Sequence, residues 1–142
     1  MGTPSQNKPN LVLLAEDELL IAITLEDELT EAGFRVAGPF TSCAPALTWL
    51  DENTPDVALL DVKLADGLCL EVARTLVRRG VPLVLFSGGI FPAVQAEFRD
   101  VPWFEKPVDY DDLIQTLHEL VDRRGRTDRD LTGSSGAPSP QE

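Results

Sequence analysis

Short apolar runs alternate with longer amphipathic stretches along the middle of this chain. A run that is apolar at nearly every position is typical of a strand covered on both faces, whereas apolar residues at intervals of three and four indicate a helix with one buried side. The apolar runs predict five strands, at residues 11–15, 34–38, 57–60, 81–86 and 103–105. The amphipathic stretches predict five helices, at residues 18–32, 42–50, 68–79, 93–98 and 109–122.

This alternation predicts the fold. Parallel strands need a long crossover between them, and a helix is the usual crossover, so alternating strands and helices indicate a parallel sheet. Five such units predict an α/β protein with a flavodoxin-like doubly wound sheet in the strand order 2-1-3-4-5. The fourth helix should be short or irregular, because Gly88, Gly89 and Pro92 weaken helix propensity near its start.

Length and composition predict one folded domain. The chain has 142 residues, of which 43% are hydrophobic, enough to bury a substantial core. Its polar ends predict disordered tails at residues 1–9 and 125–142, which leave the domain at 10–124. We find no apolar stretch long enough for a membrane span and no signal-peptide core, so we expect a cytoplasmic protein whose two cysteines, Cys43 and Cys69, are reduced.

The charge balance narrows the class of partner. The chain carries 24 acidic residues and 12 basic ones, a formal net charge of -12. Nucleic acids and anionic membrane surfaces bind mainly through cationic side chains, so both are disfavoured. We therefore expect the partner to be a protein or a small ligand.

Charged residues stand at the ends of three apolar runs. Glu16 and Asp17 follow the first run, Asp61 follows the third, and Lys106 follows the fifth. The carboxyl ends of parallel strands meet at one edge of a sheet, where ligands bind, so these side chains should converge. Clustered carboxylates repel one another unless a cation lies between them, and Mg²⁺ prefers such oxygen ligands. The cluster therefore predicts a divalent metal and a phosphoryl group.

The same positions resemble a known family. Together with Ser87-Gly88 after the fourth run and Pro107 after Lys106, the strand-end charges resemble the receiver domain of bacterial two-component response regulators in order and spacing. The resemblance covers about residues 10–123. It implies that Asp61 is the phosphoacceptor, which attacks a phosphoryl group carried by a histidine of a sensor histidine kinase or phosphotransfer protein.

The resemblance also implies roles for the neighbouring residues. Mg²⁺ would be held by Glu16, Asp17, Asp61 and the backbone carbonyl of Lys63. Ser87 would donate a hydrogen bond to one phosphoryl oxygen, and Lys106 would pair with another. Trp103 stands at the position of the switch aromatic residue, which reorients together with Ser87. The peptide bond before Pro107 should be cis.

Part of the chain departs from the usual receiver pattern. Glu16 stands where aspartate is more usual, and the stretch between Ser87 and Lys106 is shorter than in most receivers. With that shortening, the residues Leu-Phe-Ser-Gly-Gly at 85–89 are similar to a subgroup of alphaproteobacterial stand-alone receivers with a Phe-Ala-Thr-Gly-type motif in strand four. This resemblance predicts an altered output face.

Three functions stay open at this point. The first is a stand-alone receiver, a signalling domain rather than an enzyme, which assists its own phosphorylation and dephosphorylation and acts through protein contact or as a phosphate sink. Such a chain would be a monomer or a weak dimer. The second is a pseudo-receiver that binds partners without phosphorylation. The third is a phosphatase of the haloacid dehalogenase type, but Lys63 occupies the position where those enzymes need a general acid.

Overall fold

A computed structural model describes residues 9–133 of the chain, and for residues 125–133 it describes the backbone only. Its strands, numbered in chain order, are β1 Leu11–Ala15, β2 Arg35–Phe40, β3 Val57–Asp61, β4 Lys63–Leu64, β5 Gly67–Leu68, β6 Leu83–Ser87 and β7 Trp103–Glu105. Its helices are α1 Leu19–Glu31, α2 Cys43–Leu50, α3 Leu70–Arg78, α4 Pro92–Glu97 and α5 Tyr110–Gly133.

The main sheet has the predicted topology. Five parallel strands lie in the order β2-β1-β3-β6-β7, which is 2-1-3-4-5 when the strands of this sheet are counted along the chain. Every residue of β3 and of β6 is buried, as expected for central strands covered on both faces. The prediction of a flavodoxin-like doubly wound sheet is confirmed.

Two apolar layers cover the sheet. Side chains alternate between the faces of each strand, so Leu13 belongs to one layer and Leu14 to the other. The first layer contains α2, α3 and α4, and the second contains α1 and α5. The helices therefore hold the strands rigidly from both sides and leave their carboxyl ends to form the site.

The fourth helix is short, as predicted. It has 6 residues, Pro92–Glu97, and begins at a proline, a residue favoured in the first turn because its missing N–H would be unpaired there. Arg74 of α3 binds Glu97 at its end with two hydrogen bonds of 2.6 and 2.9 Å. This contact fixes the end of α4 against its neighbour.

The last helix differs from the prediction. It continues to Gly133, so its predicted end near Asp122 is wrong, and the part of the predicted tail at 125–133 is helical. These residues lack apolar periodicity, and the sequence therefore gave no signal from packing there. The predicted tail at 1–9 falls almost wholly outside the described residues, as does the stretch 134–142.

The two cysteines also differ from the prediction. Cys43 and Cys69, expected to be reduced, are joined in a disulfide, with their Cα atoms 5.4 Å apart. They stand 26 residues apart in the chain, so their spacing gave no indication of the pairing. The start of α2 and the residue before α3 lie on the same side of the sheet, and this brings the two side chains together.

A break in strand register lies next to the end of β1. Leu13 pairs with Ala37 but Ala15 pairs with Phe40, so β2 has one extra residue over this interval. Gly38 lies in the extra stretch with a φ of +110°, and a Cβ atom there would lie 2.5 Å from the carbonyl oxygen of Leu14. Such a close approach requires glycine. The break places the Phe40 carbonyl where it accepts a 2.9 Å hydrogen bond from the N–H of Glu16.

In the part of the chain that the structure describes, we find no helix long and apolar enough to cross a membrane.

Candidate functional site

The ends of four strands build one site. Asp61 and Ser87 are the last residues of β3 and β6, and Glu16 and Lys106 directly follow β1 and β7. Their side chains meet at the carboxyl edge of the sheet, beside an open pocket of about 450 Å³. The pocket is lined by Asp17, Glu18, Asp61, Lys63, Ser87, Gly88, Gly89, Phe91 and Lys106.

The Lys106 ammonium group lies at the centre of this site. Its Nζ atom is 2.7 Å from Asp61 Oδ2, 2.7 Å from Glu18 Oε1 and 2.9 Å from Glu16 Oε1. Burial alone would lower the pKa of Lys106, but the bonds to Asp61, Glu18 and Glu16 together raise it above its usual range. The lysine therefore stays charged and binds all three acids.

Glu16 is the most deeply buried charged group of the site. Its residue has no exposed surface, and its Oε2 atom accepts a 2.8 Å hydrogen bond from the N–H of Glu18. Its Oε1 atom lies at ion-pair distance from Lys106 but outside hydrogen-bond geometry. Burial raises the pKa of Glu16 from 4.5 to about 7, although the hydrogen bond from Glu18 and the ion pair with Lys106 lower it. The charge of this carboxylate is thus only partly compensated.

Asp61 presents a carboxylate that is held at both oxygens. The residue is 5% exposed. Its Oδ1 atom accepts a 3.1 Å hydrogen bond from the N–H of Lys63, and its Oδ2 atom binds Lys106. Because a nucleophile must be fixed relative to the incoming group, this arrangement suits attack by a carboxylate oxygen.

Ser87 closes the pocket on the β6 side. It is 2% exposed, and its hydroxyl group donates a 3.1 Å hydrogen bond to the Gly89 carbonyl and accepts one of 2.9 Å from the Gly89 N–H. Its own carbonyl accepts a 2.9 Å bond from the N–H of Lys106. The serine and the lysine are therefore fixed relative to each other through the backbone.

The structure brings together most, but not all, of the predicted site residues. Glu16, Asp61 and Lys106 are in contact, whereas the side chains of Asp17 and Lys63 are exposed and only line the pocket, and Lys63 contacts Asp61 through its backbone N–H. Glu18 was missed by the sequence reasoning, yet its carboxylate lies with those of Glu16 and Asp61, with ligand oxygens within 4.8 Å of one another. The unbroken acidic run at 16–18 was the available signal.

Trp103 and Pro107 flank the site. Trp103 lies in β7, paired with Leu85, and is partly buried against the layer that contains α3 and α4. Its Nε1 atom is buried and has no hydrogen-bond partner among the described residues. The peptide bond between Lys106 and Pro107 is cis.

The donor set fits a hard divalent cation. Four carboxylates, those of Glu16, Asp17, Glu18 and Asp61, stand at the site against two lysines. Oxygen donors of this kind are the ligands that Mg²⁺ prefers. The raised pKa of Glu16 agrees with this, because burial of its carboxylate outweighs the neighbours that favour its charge, and a cation beside it would favour the ionised form.

Comparison with known proteins finds a family model and two regulatory proteins that this chain resembles. The family model of the response regulator receiver domain matches residues 12–118. Among curated proteins, the transcriptional regulatory protein PdtaR of Mycobacterium tuberculosis is 29% identical over 119 residues, which are 81% of this chain and 58% of that protein. The sensory transduction protein LytT of Bacillus anthracis is 30% identical over 110 residues, 75% of this chain and 45% of that protein. The chain thus spans about half the length of these relatives.

Solved structures of two further proteins resemble this chain in fold. SdrG from Sphingomonas melonis is 33% identical, with a TM-score of 0.69 over 80% of this chain and 97% of that one. A response regulator receiver protein from Sinorhizobium medicae is 27% identical, with a TM-score of 0.75 over 82% of this chain and 98% of that one. The family match at residues 12–118 includes all the strand ends that build the site.

Proposed function

Because this chain belongs to the response regulator receiver family, we propose that it accepts a phosphoryl group on Asp61 from a phosphorylated histidine of a kinase or phosphotransfer protein. The observation that carries this proposal is the geometry of the Asp61 carboxylate. It is buried at the end of a rigid central strand, held at both oxygens, and adjacent to a solvent-open pocket. The family is one of signalling domains, and this reaction is how such a domain would receive its signal.

In the proposed step, a carboxylate oxygen of Asp61 attacks the phosphorus atom. A new O–P bond forms, the P–N bond to the donor imidazole breaks, and the imidazole leaves with the electron pair of that bond and takes up a proton. Phosphoryl transfer depends mainly on positioning and on stabilisation of the charge on the transferred oxygens. Lys106 is already in contact with Asp61 and would pair with one of these oxygens.

Ser87 would donate a hydrogen bond to a second phosphoryl oxygen. Its hydroxyl group has a single proton, which is donated to the Gly89 carbonyl, so that hydrogen bond would have to break when the phosphoryl group arrives. We propose that this motion reaches Trp103 on the neighbouring strand β7, as the position of the switch aromatic implies. The changed surface would then act by protein contact, or the domain would act as a phosphate sink.

Glu16, Asp17, Asp61 and the carbonyl of Lys63 would hold Mg²⁺. When bound, the ion supplies positive charge that offsets the carboxylates and the transferred oxygens. Glu18 lies as close to Glu16 and Asp61 as a further ligand would. The chain's own residues contribute orientation, because the Lys63 N–H and the Lys106 ammonium group hold the two oxygens of Asp61. Membership of the alphaproteobacterial subgroup stays a prediction.

Phosphorylation by a small-molecule donor tests the proposal without the cognate kinase. The chain is incubated with phosphoramidate and Mg²⁺, and its intact mass is measured. We expect an added mass of one phosphoryl group in the presence of Mg²⁺. We expect no added mass when EDTA is present during the incubation, and none in Asp61→Asn. The matched control is Asp51→Asn, an exposed aspartate outside the pocket, which should be labelled normally. Equal labelling of Asp61→Asn, or none of the unmodified chain, would refute the assignment; the latter would favour a pseudo-receiver.

A further inference from the structure

The disulfide between Cys43 and Cys69 lies beside the loop that follows Asp61. Cys43 is the first residue of α2, and Cys69 directly precedes α3. Between Asp61 and Cys69 the chain forms an antiparallel hairpin of β4 and β5 over residues 63–68. The cross-link therefore joins the far end of this hairpin to a separate helix. These are the only two cysteines of the chain.

Hydrogen bonds connect both halves of the cross-link to the same hairpin. The N–H of Cys69 donates to the Val62 carbonyl at 2.9 Å, which closes the hairpin directly after Asp61. The carboxylate of Asp66, at the hairpin tip, accepts bonds of 2.8 and 3.2 Å from the N–H groups of Cys43 and Ala44. The position of the hairpin on α2 thus depends on these bonds and on the S–S bond together.

The two cysteine residues differ in their exposure to solvent. Cys69 is 3% exposed, whereas Cys43, the first residue of α2, is only partly buried. A small thiol or disulfide reagent therefore reaches Cys43 first, and Cys69 is protected but within bonding distance of it. This is the arrangement of an attacking thiol with a resolving partner.

We propose that Cys43 and Cys69 form a reversible redox site whose oxidation state controls how firmly the 63–68 hairpin is held, and thereby how well the Asp61 pocket binds its anion. The coupling rests on the function proposed above, in which the carbonyl of Lys63, the first residue of the hairpin, holds the metal. The redox site itself does not depend on that function.

The oxidant is a small-molecule disulfide such as oxidised glutathione. The Cys43 thiolate attacks one sulfur of the reagent, an S–S bond forms, and one glutathione thiolate leaves. The Cys69 thiolate then attacks the sulfur of Cys43 and displaces the second glutathione. Two protein thiols become one disulfide, one glutathione disulfide becomes two thiols, and the two protons of the protein thiols pass to the released glutathione.

The expected effect follows from the contacts that remain after reduction. In the dithiol form the hairpin keeps the two hydrogen bonds that Asp66 accepts from the start of α2, and the 3.0 Å bond from the Ala65 N–H to the Thr41 carbonyl, but it loses its covalent link to α2. The hairpin should then be less ordered before the anion and metal bind. We expect about a fivefold weaker affinity in the reduced form, a modest coupling between two neighbouring sites.

A thiol titration tests the redox site. The folded chain is equilibrated in glutathione buffers of increasing oxidised fraction, free thiols are trapped with a maleimide, and the intact mass is recorded. We expect one reversible transition between zero and two trapped thiols. Cys43→Ser should give a chain that forms no internal disulfide. A disulfide that excess reduced glutathione leaves intact in the folded chain, or thiols that excess oxidised glutathione leaves free, would overturn the proposal.

Calorimetric titration tests the coupling. Beryllofluoride, a phosphoryl mimic, is titrated with Mg²⁺ into the oxidised chain, the reduced chain and the double variant Cys43→Ser, Cys69→Ser. We expect the reduced chain and the variant to bind equally, each about fivefold more weakly than the oxidised chain. Equal affinity in all three would overturn the coupling. Absence of binding in all three would overturn both the coupling and the proposed function, while the thiol titration would still decide the redox site.

Discussion

The buried carboxyl group of Glu16 should make the metal-free protein less stable as pH rises. Its pKa is about 7 in the folded protein, whereas the usual value, expected in the unfolded chain, is 4.5. Between these two pH values the folded state therefore binds more protons than the unfolded state. Stability therefore falls as pH rises through this window and levels off above pH 7. Between pH 5 and pH 8 the free energy of unfolding lost from this one group is on the order of 2 to 3 kcal/mol.

Glu16→Gln isolates this effect. The amide has nearly the same shape and does not titrate, so the variant should lack the part of the pH dependence that Glu16 causes. Urea unfolding in EDTA at pH 5 and pH 8 measures it. With a denaturant slope of about 2 kcal/mol per molar, the midpoint of the unmodified chain should fall by about 1 M more than that of the variant. Comparing how much stability each protein loses between the two pH values removes the pH-independent cost of placing an amide beside Lys106.

The matched control is Glu52→Gln, an exposed glutamate away from the site, which should keep the pH dependence of the unmodified chain. Mg²⁺ gives a second check, because a cation in the pocket would favour the ionised carboxylate and flatten the curve of the unmodified chain. If Glu16→Gln and the unmodified chain lose the same stability between pH 5 and pH 8, burial does not raise the pKa of Glu16 and the argument for uncompensated charge fails.

Two further predictions concern the scaffold. Gly38→Ala should lower the free energy of unfolding in urea by about 2 kcal/mol or more, because the added Cβ meets a backbone oxygen at 2.5 Å. Gly80→Ala, also at positive φ but with open space around it, should lower it by about 1 kcal/mol. Equal losses in the two variants would contradict the close approach at Gly38. Reduction of the Cys43–Cys69 disulfide, which spans 26 residues, should lower the free energy of unfolding by about 3.5 kcal/mol and Tm by about 10 °C. Scanning calorimetry of the oxidised and reduced chains measures this, and an unchanged Tm would refute it.

The sequence predicted the parts of the site that follow from strand periodicity. Asp61 and Lys106 end or follow apolar runs, and parallel strands carry such positions to one edge without any knowledge of loops. Glu18 could not be assigned in the same way, because it lies one residue before α1, where an exposed acid is ordinary. Its contact with Lys106 depends on the direction in which the chain leaves β1.

The disulfide and the end of α5 likewise could not be predicted from the sequence. Which loops become neighbours depends on the packing of α2 and α3, and a spacing of 26 residues carries no trace of it. The helix beyond residue 124 has no apolar stripe, so hydrophobic periodicity does not predict its continuation. The sequence was informative where side-chain burial repeats regularly, and uninformative where position is set by one specific contact.

The three carboxylates around Lys106 have one more consequence. An ammonium group has three hydrogens, and the Nζ atom already has three acidic neighbours within 2.9 Å. A further anion cannot simply be added to it. Glu18 is the neighbour with most access to water, its side chain being 60% exposed, while Glu16 and Asp61 are buried. If an anion binds in this pocket, we therefore expect an exchange, in which the Glu18 carboxylate leaves Lys106 and turns to solvent.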